Sequence, residues 1–231
     1  MRSLEQLIED QVRRWSREQK AKKFAGKSRQ TPWPIISISR QFGSRGSAIG
    51  EGLAERTGFT FWGSVLLHRM ADEANANEAA LAWVDEHPRS AWNDFIDGMP
   101  LGDEYTESEY LRRLVRVLHG IQTTGAGVVV GRGSQFILSA GKALRVRFAC
   151  PLADRIRGVM EGHKLDEIAA ARLVKKVDRE RQAFMQSHFG QSLEDPSNFD
   201  LTLNSGSMPE EVCLETILTA YEERVGRRPR V

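Results

Sequence analysis

The sequence contains few cysteines and no long apolar run. Its two cysteines, Cys150 and Cys213, have no histidine or second cysteine at metal-ligand spacing. We therefore expect both to be reduced, buried thiols. No stretch approaches the roughly 20 apolar residues of a membrane span, and charges occupy the N-terminus where a signal peptide has its apolar core. These absences predict a cytoplasmic protein that does not contact a membrane.

The sequence also lacks a strong net charge, because its formal value is only +2. The basic excess is confined to residues 2–30, which carry nine Lys/Arg and four Asp/Glu. A solvated amphipathic helix explains these charges more simply than an arm that binds nucleic acid, so we expect no specific nucleic-acid partner. Its apolar face is a candidate surface for self-association or for a protein partner. The apolar residues at helical spacing are Leu4, Leu7, Ile8, Val12 and Trp15.

What the sequence does contain is an alternation of short apolar runs with helical patterns. The chain length suits an appendage at 1–33 and one α/β domain at 34–231. Alternating strands and helices predict a parallel, doubly wound sheet with helices on both faces, a three-layer α/β/α fold. Continuously apolar strands are expected there. The predicted strands are 35–39, 59–62, 128–130, 144–149 and 199–203, and the predicted helices are 47–57, most of 64–98, 107–123, 165–187 and 209–224.

The turn after the first strand has the composition of a phosphate cradle. Pro34 to Ser39 runs into a turn rich in glycine, serine and arginine, and a helix follows. Backbone N–H groups in such a turn converge on an anion, and the dipole of the helix points at the same place. The common pattern, glycine, four residues and Gly-Lys-Ser/Thr, is matched incompletely, since Ser47 stands at the lysine position and Gln41 at the first glycine. The alternative is an ordinary turn capped by Ser44 or Ser47.

Two further clusters of arginine lie near the expected carboxyl edge of the sheet. Gly131-Arg-Gly133 follows an apolar strand directly, so Arg132 either projects toward a phosphate in the same crevice or points into water. The predicted helix at 165–187 is basic, and Asp178 and Arg181 are three residues apart on one of its faces. That helix either supplies charge to a phosphoryl group or is a solvated face with local ion pairs.

These motifs together resemble the cytidylate kinase-like family, a branch of the P-loop nucleoside monophosphate kinases. The resemblance extends in order over most of 34–224, and the N-terminal helix resembles an extension seen in that branch. It implies a P-loop NTPase-like fold with a helical acceptor-side insertion at 64–124 and a lid-like helix at 163–192. The matching segments are Ile36-Ser-Ile-Ser-Arg-Gln-Phe-Gly-Ser44, Val128-Val-Val-Gly-Arg-Gly133, Asp178-Arg-Glu-Arg181 and Phe199-Asp-Leu-Thr-Leu-Asn204.

The resemblance also implies roles for individual residues. Residues 43–47, which are Gly43, Ser44, Arg45, Gly46 and Ser47, would hold the phosphates of ATP, and Arg132 would bind the acceptor phosphate. Asp178 and Arg181 would contact the cytidylate side, and 175–179, including Arg179, would belong to the mobile lid. Mg²⁺ would be held by ATP phosphates together with the hydroxyl of Ser44 or Ser47.

Two departures from the family pattern concern chemistry. Cytidylate kinases have a lysine at the position of Ser47 and an aspartate at the position of Gly133. Because the lysine neutralises phosphate charge during transfer, another cation must replace it if the protein is a kinase. Arg45 is the first candidate, and Arg40 at the strand end is the second. The loss of the aspartate removes a contact that helps to read the base or sugar.

The predicted function is an ATP-dependent phosphotransferase for a nucleoside monophosphate, with cytidylate as the first choice. Catalysis would consist of positioning and of charge neutralisation by Arg45, Arg132, Arg179, Arg181 and Mg²⁺. Two alternatives stay open: a regulatory module that binds a nucleotide without kinase turnover, and a kinase for another small metabolite.

Overall fold

The computed structural model describes the central part of the chain. The described residues are 35–63, 114–115, 118, 121–122, 125–138, 142–226 and 229. The predicted N-terminal helix and the helices within 64–98 lie outside these ranges. Of the predicted helix 107–123, the described residues are helical, and Leu114, Leu118 and Ile121 are fully buried. The shared apolar face of that helix is therefore confirmed for these residues.

The described elements alternate along the chain as predicted. The glycine expected to end the first helix, Gly58, does so in a left-handed conformation (φ 66°). The helix at 152–163 was not predicted. The elements are β1 (Ile35–Arg40), α1 (Gly46–Thr57), β2 (Thr60–Trp62), β3 (Gly127–Val130), α2 (Ser134–Ile137), β4 (Ala143–Ala149), α3 (Leu152–His163), α4 (Glu167–Phe189), a 3₁₀ turn (Pro196–Asn198), β5 (Leu201–Asn204) and α5 (Glu210–Val225).

The five strands of the described ranges form one parallel sheet in the order β2-β3-β1-β4-β5. β1 is central, since Ile38 pairs with Val130 of β3 on one side and with Val146 of β4 on the other. The carboxyl ends of β1, β3, β4 and β5 therefore meet at one edge of the sheet. In open parallel sheets this edge is where ligands bind.

One face of the sheet carries the main hydrophobic core. Ile36, Ile38 and Val146 alternate inward from β1 and β4, and the apolar side chains of α1 and α5 cover them. Tyr221 of α5 is fully buried there, and its ring meets the edge of Phe59 at 5.7 Å between centroids. Burial of this face fixes the direction in which β1 enters the loop at 41–45.

The opposite face of the sheet carries buried polar side chains on β1 and β4 as well as buried apolar ones, whereas β3 is continuously apolar and buried, as expected. Ser37 and Ser39 of β1 are buried, and Arg147 of β4 is only 5% exposed. Ser37 exchanges a hydrogen bond of 2.7 Å with Ser134 of α2. Arg147 donates a hydrogen bond of 2.9 Å to the hydroxyl of Ser39. The polar groups satisfy one another, which offsets the cost of burying them.

Both cysteines are free thiols, as predicted. Cys213 is buried in the main core, whereas Cys150, directly after β4, is only half-buried, which corrects the expectation for that residue. Burial raises the pKa of both thiols, so both stay protonated at neutral pH. Within the described residues no helix is long and apolar enough to cross a membrane.

Asp200, directly before β5, ties the sheet to α5. Its carboxylate accepts hydrogen bonds from the backbone N–H of Arg145 (2.8 Å) and from the guanidinium of Arg145 (2.9 Å). Arg224 of α5 pairs with the same carboxylate at 3.0 Å. Burial acts to raise the pKa of Asp200, but the hydrogen bonds and charges of the two arginines outweigh it and lower the pKa.

Because the pKa of Asp200 is lower in the folded than in the unfolded state, its stabilisation is fully present above the unfolded pKa of about 4 and is lost as the pH falls through the lower pKa of the folded state. We expect Asp200→Asn to lower the free energy of unfolding by about 1 kcal/mol at about pH 7 and to have a smaller effect near about pH 2.5. Urea unfolding at both pH values measures this difference. An equal loss at the two values would show that the carboxylate charge is not its cause.

Candidate active site

The loop between β1 and α1 leads directly into a helix N-terminus that has no side-chain cap. Gly43 (φ 77°) and Arg45 (φ 60°) are both left-handed, and left-handed residues in such turns help to orient N–H groups into an anion-binding concavity. Arg45 is the N-cap of α1 and makes no side-chain capping bond. The first N–H groups of a helix have no partner within it, so here they are available to an anion. Neither Ser44 nor Ser47 caps the helix, and phosphate binding by the turn stays a prediction.

Close packing explains two of the loop glycines. A Cβ atom at Gly43 would lie 2.8 Å from the carbonyl oxygen of Arg155, and the positive φ of Gly43 adds strain to any side chain. A Cβ atom at Gly46 would lie 2.8 Å from Cβ of Arg40 and 2.9 Å from the ring of Phe148. The loop therefore approaches α3 and β4 more closely than other residues allow.

The predicted pair Asp178 and Arg181 contacts the backbone at the beginning of this loop. Oδ1 of Asp178 accepts a hydrogen bond of 3.0 Å from the N–H of Phe42. Arg181, which is buried, donates a hydrogen bond of 3.2 Å to the carbonyl of Arg40, and its guanidinium lies 5.6 Å from the centre of the Phe42 ring. The structure thus brings both residues to the loop, while their role toward an acceptor stays a prediction.

The two candidate replacements for the missing lysine lie on opposite sides of the helix start. Arg45 is exposed, and its guanidinium donates a hydrogen bond of 2.5 Å to the carbonyl of Ser205, just after β5. Arg40 is buried, and its Nε donates to the hydroxyl of Ser47 at 3.2 Å. The guanidinium of Arg40 lies against Gly131 at the end of β3. One arginine therefore lies on the β5 side of the helix start and one on the β3 side.

The Gly131–Gly133 turn lies next to this loop at the end of β3. Arg132 is left-handed (φ 56°) and only 9% exposed, so the alternative that it points into water is wrong. Gly133 is also left-handed (φ 67°), and a Cβ atom there would lie 2.4 Å from the ring of Phe189 at the end of α4. The place of the aspartate seen in cytidylate kinases is thus filled by an aromatic ring.

Residues 35–207, which include the loop, the Gly131–Gly133 turn and α4, match the cytidylate kinase-like family. The chain belongs to this family. Its family is named for a nucleotide kinase, and its fold is that of P-loop kinases. The family match carries this assignment, because it spans most of the chain.

Similar solved structures have the same fold at low sequence identity. An uncharacterised protein from Eubacterium ventriosum is 19% identical, with a TM-score of 0.62, and the match covers 82% of this chain and 98% of that one. A gluconokinase from Sinorhizobium meliloti is 16% identical, with a TM-score of 0.52, over 86% of this chain and 96% of that one. At these identities the likeness shows the fold alone.

A curated relative matches a shorter part of the chain. Uronate isomerase from Corynebacterium glutamicum is 28% identical over 106 residues, which are 46% of this chain and 20% of that protein. The chain therefore spans about a fifth of the length of the curated relative that it matches.

The basic helix α4 of this cytidylate kinase-like protein divides into two sides. Asp178 and Arg181 face the loop, as described above. Arg179 is exposed, and its Nε donates a hydrogen bond of 3.2 Å to the carbonyl of Lys175 on its own helix. The structure thus places the predicted catalytic Arg179 on the outer side of α4. The other exposed cations of this side are Arg172, Lys175 and Lys176.

Serine hydroxyls are the candidate protein ligands for a metal ion at the loop. Oγ of Ser44 is buried and has no hydrogen-bond partner among the described residues, whereas Oγ of Ser47 accepts the bond from Arg40. An unsatisfied buried hydroxyl is costly, and an added ligand would remove that cost. In the part of the chain that the structure describes, no group of three His, Cys, Asp or Glu side chains is placed to hold a metal.

Sequence reasoning missed two buried arginines beside the loop. Arg147 bonds to Ser39 and also donates to Glu194 at 3.3 Å. Burial lowers the pKa of Arg147; Glu194 opposes this shift, and Arg181 and Arg155 add to it. Alternation in Leu144-Arg-Val-Arg-Phe148 was a signal for one polar face. Arg155 stands in the unpredicted helix α3, and no pattern in the sequence pointed to it.

Proposed function

We propose that this protein transfers the γ-phosphoryl group of ATP to a nucleoside monophosphate, with cytidylate as the first acceptor to test. The observation that carries the proposal is the uncapped start of α1 at the carboxyl end of β1, directly after the left-handed residues Gly43 and Arg45. An arginine lies on either side of this position. Family membership supports the same class of reaction.

In the proposed reaction, the chain positions phosphates and neutralises their charge. Amides of Gly43 and 45–47 hold the donor phosphates, and Arg45 replaces the missing lysine by swinging from Ser205 toward the phosphates. Arg40 already lies at the helix start and contributes a second positive charge. Arg132 holds the acceptor phosphate. Because a phosphate acceptor is already ionised, no strong general base is needed.

The serines of the loop fit a magnesium ion. Mg²⁺ prefers oxygen ligands and usually takes only one or two from the protein. The buried hydroxyl of Ser44, which has no described partner, and the hydroxyl of Ser47 are the two protein oxygens we assign to it. When bound with ATP, the ion supplies charge stabilisation at the transferring phosphoryl group.

The second candidate function is a regulatory module that binds a nucleotide without turnover. A specific observation favours it: Arg45 is hydrogen-bonded to the carbonyl of Ser205, and Ser47 occupies the lysine position of the phosphate loop. In that case the amides bind phosphate but transfer is not accelerated. A kinase for another small metabolite is the third candidate, because position 133 offers no carboxylate to read a base. Cytoplasmic location, and association through the N-terminal segment, stay predictions.

A coupled assay of ADP release with Mg-ATP distinguishes these functions. The acceptor panel consists of CMP, dCMP, UMP, AMP and GMP, together with unphosphorylated sugar acids, and ATP binding is measured in parallel. The proposal predicts ADP release that depends on a nucleoside monophosphate. Binding of ATP without release for any acceptor favours the regulatory module, and release with a sugar acid alone favours the third candidate.

A further inference from the structure

Side chains of α3 and α4 hydrogen-bond to the backbone at the beginning of the phosphate loop, a role that the sequence did not predict for them. We propose that Arg155 of α3 is a positioning residue that acts through Phe42 to keep 43–47 in its anion-binding conformation. The inference rests on the proposed function, because the loop is taken to bind the phosphates of ATP. Arg155 itself touches no reacting atom in this account.

Arg155 joins three separate segments. Its guanidinium is buried, and Nε donates to the carbonyl of Cys150 at 3.1 Å, while Nη1 donates to the carbonyl of Phe42 at 3.3 Å. Nη1 also pairs with the carboxylate of Asp178 in α4. Only a planar guanidinium offers several donors in fixed directions, so no other side chain reproduces this set of bonds.

Phe42 is fixed from every side by these contacts. Its carbonyl accepts from Arg155 and its N–H donates to Asp178, so neither group of its backbone faces a phosphate. Its ring is 1% exposed and lies among Val159 and other apolar residues of α3 and α4. The left-handed Gly43 follows immediately and is pressed against the backbone of Arg155. The direction in which the amides of 43–47 point therefore depends on this anchor.

Hydrogen exchange in the ligand-free protein tests the anchor directly. The amides of Phe42 and Ser44 are hydrogen-bonded, to Asp178 and to the carbonyl of Gln41. We expect Arg155→Met to speed their exchange about tenfold and to weaken Mg-ATP binding to a similar degree. The matched control is Arg157→Met on the same helix, since that side chain is 67% exposed and pairs only locally with Asp154.

Conservative variants separate positioning from a general loss of folding. Arg155→Lys keeps a positive charge beside Asp178 but loses the planar set of guanidinium donors. We therefore expect its amide exchange rates and its affinity for Mg-ATP to lie between those of wild type and Arg155→Met. Asp178→Asn keeps an acceptor for the N–H of Phe42 and loses the ion pair with Arg155. This variant replaces Arg155→Met in the exchange experiment if Arg155→Met does not fold. For both variants we expect a raised KM for ATP with kcat changed less, because the loop is displaced and Arg45 is retained.

The outcomes distinguish this inference from the proposed function. Faster exchange at 42–44 in Arg155→Met but not in Arg157→Met supports the anchor, whatever the protein binds. Exchange equal to that of wild type in Arg155→Met and Asp178→Asn overturns it. If the wild-type protein binds no Mg-ATP but exchange is still faster in Arg155→Met, the proposed function is wrong and Arg155 is nevertheless a positioning residue of the loop.

Discussion

Replacing Arg45 by alanine is expected to lower kcat for phosphoryl transfer about 10²–10³-fold, the usual cost of removing one preorganised charge from a transition state. Arg45 is exposed, and its guanidinium donates a hydrogen bond to a backbone carbonyl, so folding does not depend on a buried ion pair there. The backbone strain at φ 60° is the same for alanine as for arginine. We therefore expect the free energy of unfolding to change by about 0.5 kcal/mol or less.

The coupled assay and urea unfolding together check this expectation. Arg157→Ala is the control, because it also removes an exposed arginine near the site and is expected to leave kcat unchanged. A full loss of ATP binding in Arg45→Ala would mean that this arginine binds ATP in the ground state and does not act mainly on the transition state. Unchanged kcat would transfer the role of the missing lysine to Arg40.

Replacing Phe42 by alanine is expected to destabilise the fold by about 3–5 kcal/mol, the usual range for a buried phenylalanine. The ring is 1% exposed and contacts apolar side chains of both α3 and α4, including Val159 and Val174. Arg181 also lies over its face. Removal of the ring therefore leaves a cavity between the loop and two helices. Urea unfolding measures the effect.

Leu152→Ala provides the matched control for this change. Leu152 is 42% exposed at the start of α3, so its truncation removes little buried area and is expected to cost less than about 1 kcal/mol. A similar loss in both variants would show that α3 is only marginally attached, and that the loop is not anchored by the Phe42 ring.

Much of the fold could be predicted from the spacing of apolar residues and from the residues that end strands and helices. Ile35 to Ser39 was predicted as a strand because a short apolar run ends in a turn. In the structure this strand is one residue longer and ends at Arg40. Gly58 correctly marked the end of α1. Helix α3 was missed although its apolar residues Ile156, Val159 and Met160 recur at helical spacing; only Arg155 and Val159 in it are buried.

The candidate site could be predicted only where residues lie close in the sequence. The phosphate loop was recognisable because strand, turn and helix are contiguous. The anchor was not, since Phe42 and Asp178 are separated by 136 residues and Arg155 stands in an unpredicted helix. Buried arginines are rare without partners, and only the folded chain shows that Arg147 meets Ser39 across the sheet. The sequence predicted α4 only as a basic helix, whereas the structure directs Asp178 and Arg181 to the loop and leaves Arg179 exposed.

The most direct test of the central claim is a titration of isotopically labelled protein with Mg-ATP, followed through the chemical shifts of backbone amides. If the uncapped start of α1 binds the donor phosphates, the largest shifts will fall on the amides of Gly43 to Ala48. Shifts that centre on another part of the chain, or no shift at ATP concentrations of about 1 mM, typical of the upper range of enzyme KM values, would contradict the account.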